Sequence, residues 1–356
     1  MAVTMKDIAR DLGVSVVTVS KVLRNHSDIG AETRKRVLKR MKELNYQPNP
    51  AARTLVSGRT NLIGLIVPDL VHPFFAQVAK GISAKLRTVD YSLIISSSED
   101  NPALEASEIN QMLGRRVDAL ILASAQSSAD PLRKIKDSGI PCVLLDRKIA
   151  GVNAVFVGID DVLAGTVATT HLLDIGCKVV AYLAGSNVST SLDRQSGYSS
   201  TMAAKGFTLG PEYIVQYGHG DDSGDQAGYV AMKQLLTRRP RPDGVFCCND
   251  PIALGAMRAI MDAGLQIPGD IAVVGCGNLN YADFLRVPLT SIDQDSDKLG
   301  THAAKLALSL IKRKGEATPK DVLVSARLVV RASSQRGGFA HPNVALGHSS
   351  WSMRRG

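Results

Sequence analysis

The sequence predicts an α/β protein in two parts: a small all-α head carrying a helix-turn-helix, followed by a two-lobed core with parallel sheets. Three observations predict this. Two short helical patterns in the first 23 residues are separated by Gly13, apolar runs alternate with amphipathic helices from Asn61 onward, and positive charge gathers at the head. With 356 residues, 45 % of them hydrophobic, the chain is long enough for two or three domains with substantial cores.

In the head, Ile8, Ala9 and Leu12 form the inward face of a first helix, and Gly13 supplies a left-handed turn. Ser15 is placed to cap a second helix whose inward face is Val19, Val22 and Leu23. Ala9 is small where two helices must pass closely. A third helix is expected over residues 31–44, with Val37, Leu38, Met41 and Leu44 inward and Arg34, Lys35, Arg36, Lys39 and Arg40 outward. Residues 1–60 hold 12 Lys/Arg against 5 Asp/Glu, a local charge of +7, whereas the middle of the chain is close to neutral. A basic head on a neutral body fits a polyanion as the partner of the head alone or simply a solvated basic helix, and the spacing of the apolar residues decides for the first. Basic side chains on phosphate give affinity and salt sensitivity; reading a base sequence needs contacts with base edges. The outward residues of the second helix, Ser15, Val16, Val17, Thr18 and Lys21, are the candidates for that, with Arg24 just beyond them. Val16 and Val17 can pack on thymine methyls and Lys21 can donate to guanine, although Val17 could instead pack against a helix.

The body begins at Asn61. Strands are expected at 62–67, 91–96, 119–122, 142–145, 155–157, 179–183, 214–216, 244–248 and 272–274, with helices between them, two being 75–89 and 105–113. Apolar runs of this kind, alternating with helices, predict parallel sheets covered on both faces. The series is long enough for two such sheets, the repeat of a periplasmic-binding-protein-like core, with inter-lobe crossings near 160, 290 and 320. Ligands in such folds sit at the carboxyl ends of strands, in the cleft between lobes. Asp146 and Asp160 end predicted strands, as does the pair Asn249-Asp250. Each could equally be a strand-end cap.

Several runs carry a family resemblance. Lys6-Asp7-Ile8-Ala9, Gly13-Val14-Ser15, Thr18-Val19-Ser20-Lys21-Val22-Leu23 and Leu44-Asn45-Tyr46-Gln47-Pro48-Asn49 resemble the head of the lactose-repressor (LacI) family. Ala51-Ala52-Arg53-Thr54-Leu55 resembles that family's hinge helix, and the resemblance continues through the body to about residue 335. It implies a ligand-responsive, sequence-specific transcriptional regulator, most often a repressor of a sugar operon, bound to a pseudo-palindromic operator as a homodimer. It also implies DNA contacts from Asn49, Ala52, Arg53 and Leu55. A hinge helix of six or seven residues is unstable alone, so two copies would fold together over the minor groove, with Leu55 as an apolar wedge. In the body, Ser191-Leu192-Asp193-Arg194-Gln195-Ser196-Gly197-Tyr198 looks like the family's arginine loop. His72-Pro73-Phe74-Phe75 matches the place where an aromatic covers the ligand. The implied ligand set is Phe74, Phe75, Asp146, Asp160, Thr190, Arg194 and Asn249, with a sugar or sugar derivative as effector.

Two departures stand out. Gly277, in Gly275-Cys276-Gly277-Asn278, occupies the place of a carboxylate common in the family; either Asn278 or Gln294 replaces it or the ligand class differs. Val188 stands where a purine-binding relative would carry a basic residue. The resulting segments are residues 1–47 as the helix-turn-helix domain, 48–60 as hinge, 61–335 as the ligand-binding and dimerisation body, and 336–356 as a tail expected to be disordered.

Other classes fit less well. The five cysteines show no C-x-x-C spacing, the seven histidines show no metal pairing, and there is no phosphate loop or third glycine of a dinucleotide loop. No enzyme, cofactor or metal is therefore expected. The chain has no run of eighteen apolar residues and no basic-then-apolar leader, so a cytoplasmic location with reduced thiols is expected. A solute receptor would lack the basic head, and a sequence-indifferent DNA binder would ignore an operator.

Overall fold

The computed structural model describes residues 3–23, 26–46, 58–126, 130–149, 152, 154–208, 210–216, 224–312 and 320–336. Residues 48–57 of the hinge expected at 48–60, and the tail beyond Arg336, lie outside the described residues. Two compact units divide at Thr60/Asn61.

The first unit contains helices α1 (Met5–Leu12), α2 (Val16–Leu23) and α3 (Ala31–Glu43). Thr4 and Asp7 form a reciprocal capping box at the start of α1, satisfying amides that the helix leaves unpaired. Gly13 ends α1 in the left-handed conformation at φ 66°, and the Thr18 amide donates to Ser15 Oγ at 3.0 Å to cap α2. Ile8, Ala9, Val19, Val22, Val37 and Met41 close the core of this unit. Leu38, expected inward, is instead 49 % exposed. The buried stripe of α3 holds Val37 and Met41, with half-buried Leu44 just past its end, and residue 38 is turned about 100° off it.

The second unit holds two six-stranded sheets. Its strands are β1 (Leu62–Val67), β2 (Ser92–Ser97), β3 (Ala119–Leu122), β4 (Cys142–Leu145), β5 (Val155–Gly158), β6 (Val180–Ala184), β7 (Ile214–Gln216), β8 (Gly244–Cys247), β9 (Ala272–Cys276), β10 (Thr290–Asp293), β11 (Val322–Leu323) and β12 (Arg327–Val329). The helices are α4 (Pro73–Arg87), α5 (Pro102–Gly114), α6 (Asp130–Asp137), α7 (Asp161–Asp174), α8 (Ser189–Ala204), α9 (Gly224–Leu236), α10 (Asp250–Asp262) and α11 (Ser296–Lys312). The first sheet runs β11-β5-β4-β3-β1-β2 and the second β12-β10-β9-β8-β6-β7. All pairings are parallel except β10 with β12, an antiparallel edge made where the last strand returns to the second lobe. The chain passes between lobes after β5, after β10 and between β11 and β12.

Three helix pairs meet through facing glycines. A Cβ at Gly81 would collide with the Asp297 carbonyl and one at Gly300 with that of Val78; Gly165 faces the Arg194 carbonyl, Gly197 that of Val162, Gly228 that of Ile252 and Gly255 that of Asp225. Each approach falls inside 3.0 Å, where a real Cβ essentially never sits. Hydrogen atoms in place of side chains let α4 meet α11, α7 meet α8, and α9 meet α10 at backbone distance. The body extends at least to Arg336, whose guanidinium donates to the carbonyls of Pro268 and Asp243. All five thiols are free, and Cys177, Cys247, Cys248 and Cys276 are buried.

Candidate functional site

On the head, Val16 is 38 % and Val17 62 % exposed, while Val19 and Val22 on the same helix are buried. An exposed β-branched pair gains nothing from water, so the outward face of α2 is built for another surface. Its exposure argues against a packing role for Val17. Ser15 and Thr18 hydrogen-bond each other at 2.9 Å beside the pair, and Lys21 Nζ lies 2.5 Å from Asp28 Oδ2. Arg24, Asn49, Ala52, Arg53 and Leu55 lie outside the described residues.

In the body, a cleft between the lobes is lined by His72, Phe74, Phe75, Asp146, Arg147, Thr190, Arg194, Asn249, Cys276, Gly277 and Gln294. Seven of the nine expected ligand residues are thus brought together. His72 caps α4 by accepting the Phe74 amide at its Nδ1 (3.3 Å), and Pro73 follows at a first helical position that needs no amide donor. This start sets Phe74 and Phe75 edge to face, with ring centroids 5.0 Å apart. Asp146 occupies a left-handed turn at φ 63° immediately after β4, which directs the end of that strand into the cleft. Its neighbour Arg147 donates to Asp100 Oδ1 at 2.5 Å and to the Ser124 carbonyl. Across the opening, the Lys148 amide donates to Ser189 Oγ at 2.8 Å and joins the two lobes.

Arg194 is the fixed charge of the site. Its Nη2 lies 2.7 Å from Asp161 Oδ1, with both side chains 6 % exposed, and its Nη1 donates to the Cys248 carbonyl at 2.5 Å. Burial raises the Asp161 carboxyl above its usual range, while the Arg194 charge beside it opposes that rise. The closeness of α7 and α8 at Gly165 and Gly197 makes this pairing geometrically available.

Two expected ligand residues stand outside the cleft lining and do other work. Asp160 is exposed, and its Oδ1 accepts the Leu163 amide at 2.9 Å as the cap of α7; the next carboxylate, Asp161, is the one turned inward. Asn278 accepts a hydrogen bond from Arg331 at 2.8 Å and donates its amide to Ser291 Oγ, outside the cleft lining. Asp250 is also structural. It accepts from Ser291 Oγ at 2.6 Å and the Leu279 amide at 2.9 Å, and burial lifts its carboxyl to about 6. Gln294 does reach the cleft: it is 3 % exposed and its Oε1 has no partner. A buried acceptor without a donor is costly, so Gln294 offers a place for a ligand hydroxyl or N–H. Gly277, at φ +135°, holds a backbone conformation that side-chain-bearing residues avoid. The lost carboxylate therefore comes with a different local backbone. His72, Arg147 and Cys276 were not expected as lining. Arg147 could have been found from its place beside Asp146 at the same strand end.

Burial lowers the His72 pKa to about 4, partly opposed by Asp69. The folded protein thus prefers neutral His72, so its contribution to stability is full above about 6.5 and is lost as the pH falls through about 4. Between pH 7 and 4 the wild type is expected to lose about 3 kcal/mol more stability than His72→Gln, measured by denaturant unfolding at each pH. Parallel losses in both proteins would refute the assignment.

Among the described residues, no group of His, Cys, Asp or Glu could hold a metal ion, and no helix is long and apolar enough to cross a membrane. Comparison with known proteins gives two family matches. Residues 4–49 match the model of bacterial regulatory proteins of the lacI family, and residues 60–332 match that of periplasmic binding proteins and the sugar binding domain of the LacI family. The HTH-type transcriptional repressor PurR of Histophilus somni is 32 % identical over 335 residues, covering 93 % of this chain and 98 % of that protein. Catabolite control protein A of Priestia megaterium is 32 % identical over 86 % of this chain and 92 % of its own. Among solved structures, a lac repressor dimer bound to operator and the anti-inducer ONPF superposes with a TM-score of 0.83 at 27 % identity, covering 94 % of this chain and all of that one. A complex of the transcriptional regulator CelR with cellobiose superposes at 0.69 and 28 % identity, covering 93 % and 99 %. The exposed face of α2, the interlobe cleft and these matches agree: the chain belongs to the LacI family of bacterial regulatory proteins, which are DNA-binding transcriptional regulators.

Proposed function

We propose that this protein is a cytoplasmic repressor that binds a pseudo-palindromic operator as a homodimer and changes its grip when a small sugar or sugar derivative enters the interlobe cleft. It acts by binding, without chemistry on its ligand. The observation that carries this reading is the position of Phe75. Its ring lines the cleft, and it also lines a second, apolar groove of about 360 Å³ formed with Val67, Leu70, Ala76, Ala79 and Ile95. Leu70 and Ile95, which line that groove, are 53 % and 42 % exposed. A second copy of the chain seated there would cover them, and one aromatic side chain would then touch both effector and dimer contact. A solved relative holds cellobiose and another is a dimer on its operator, which supports both halves of the proposal. Asp146 and the free Gln294 oxygen suit a ligand rich in hydroxyl donors, and Asn249, whose Oδ1 caps α10 by accepting the Ile252 amide at 2.9 Å, keeps its Nδ2 donor for a ligand oxygen, with Phe74 and Phe75 against the ligand's apolar face.

Ile95→Glu is expected to give a monomer in light scattering and to weaken operator binding by roughly 100-fold, because two heads on one operator bind as a linked pair. A dimeric variant with full operator affinity would refute this dimer face. A thermal-shift screen over metabolites tests the cleft: an effector at a hundred times its Kd adds about 2.7 kcal/mol of stability.

A further inference from the structure

The turn between α2 and α3 brings an acid onto the face of the head that carries the exposed valines. Lys21 lies in the last turn of α2, and its carbonyl accepts the His26 amide at 3.1 Å. The Arg34 guanidinium donates to the His26 carbonyl and fastens the same turn from α3. Asp28 is thereby held beside Lys21, with Oδ2 2.5 Å from Nζ and the two side chains 53 % and 41 % exposed. The hydrogen bond from Lys21 lowers the Asp28 pKa, so the carboxylate stays charged. A carboxylate fixed beside a DNA-facing lysine opposes any general attraction to phosphate.

We infer that Lys21 and Asp28 read one G·C base pair together, Lys21 donating to the guanine edge and Asp28 accepting from the cytosine N4 amino group. This rests on the reading of α2 as the helix that enters the major groove. In that groove guanine offers the O6 and N7 acceptors, and cytosine offers the N4 donor. O6 and N4 are themselves joined by a base-pairing hydrogen bond of roughly 2.9 Å, close to the spacing of the ammonium and the carboxylate. An ammonium has three donors, so Lys21 keeps donors for guanine while one serves Asp28. An A·T pair sets an amino donor and a carbonyl acceptor in the opposite order and opposes both charges, whereas a T·A pair keeps the order but puts a methyl group in place of the guanine N7 acceptor. A phosphate would accept from Lys21 but repel Asp28. The pair therefore disfavours A·T and C·G, prefers G·C to T·A through the extra N7 acceptor open to Lys21, and disfavours non-specific contact through Lys21.

The test uses the full-length protein and a duplex selected by the wild type from a random pool, then altered one base pair at a time. The wild type is expected to show a symmetric position in each half-site where G·C→A·T costs roughly 10- to 100-fold in affinity. Asp28→Ala and Lys21→Ala are each expected to flatten the preference at that same position and to leave the profile elsewhere intact. Asp11→Ala removes another head carboxylate, one paired with Arg40 at 2.7 Å, and is expected to leave the whole base profile unchanged. If Asp28→Ala shifts affinity equally across every duplex, its role is net charge and the inference falls. A wild type without preference at any position would instead overturn the underlying reading of α2, and the inference with it.

Discussion

Arg194→Ala is expected to destabilise the body by about 3–5 kcal/mol, the usual cost of stranding one member of a buried ion pair. The guanidinium is the partner of Asp161 and also satisfies the Cys248 carbonyl. Its removal leaves a buried carboxylate without a cation and a strand-end carbonyl without a donor. Urea unfolding followed by circular dichroism measures the loss. Replacing both members, Asp161→Leu with Arg194→Met, is expected to recover most of the stability, because no charge is then stranded. The double variant would still fail to respond to the effector, since Arg194 lines the cleft. A single variant within 1 kcal/mol of wild type would show that the pair contributes little.

The second large effect concerns backbone packing. Gly197→Ala places a methyl group against the Val162 carbonyl and the Thr166 amide of α7, groups that cannot rotate away. The helices must separate, at a cost of about 2–3 kcal/mol, and α8 carries Arg194 and Thr190 with it. A weaker effector-induced thermal shift is therefore expected along with the lower stability. Gly114→Ala is the matched control: a Cβ there meets nothing within 4 Å, and its stability is expected to stay within about 0.5 kcal/mol of wild type. Equal stability of the two variants would contradict the close approach of α7 and α8.

Much of the fold was legible because its signals are local. Gly13, the stripe of Ile8, Ala9, Val19 and Val22, and the Ser15 cap lie within fifteen residues of one another and report the helix-turn-helix directly. The buried parallel strands showed as apolar runs for the same reason. β10 and β11 left weaker traces, being short and bounded by the lobe crossings, and the antiparallel place of β12 depends on a return across the molecule. The glycine pairs were hidden altogether, since which helices meet is a tertiary fact.

The cleft was legible as strand ends but not as side-chain directions. Asp160 and Asp161 are adjacent carboxylates at one helix start, and cap geometry alone decides that the first bonds its own helix and the second faces Arg194. Asn278 is drawn off by Arg331, 53 residues along the chain, a partner no local pattern announces. Gln294 reached the cleft because it sits at the second crossing between lobes. His72 entered through its capping role: the residue that starts α4 also walls the cleft.

Sequence reading by the head is measured by competition between two DNAs. Full-length protein is bound to a labelled duplex selected from a random pool, and unlabelled selected duplex or mixed genomic DNA is titrated in at fixed salt. The selected duplex is expected to compete roughly 10³-fold or more better per site than the mixed DNA. Equal competition by the two would contradict it.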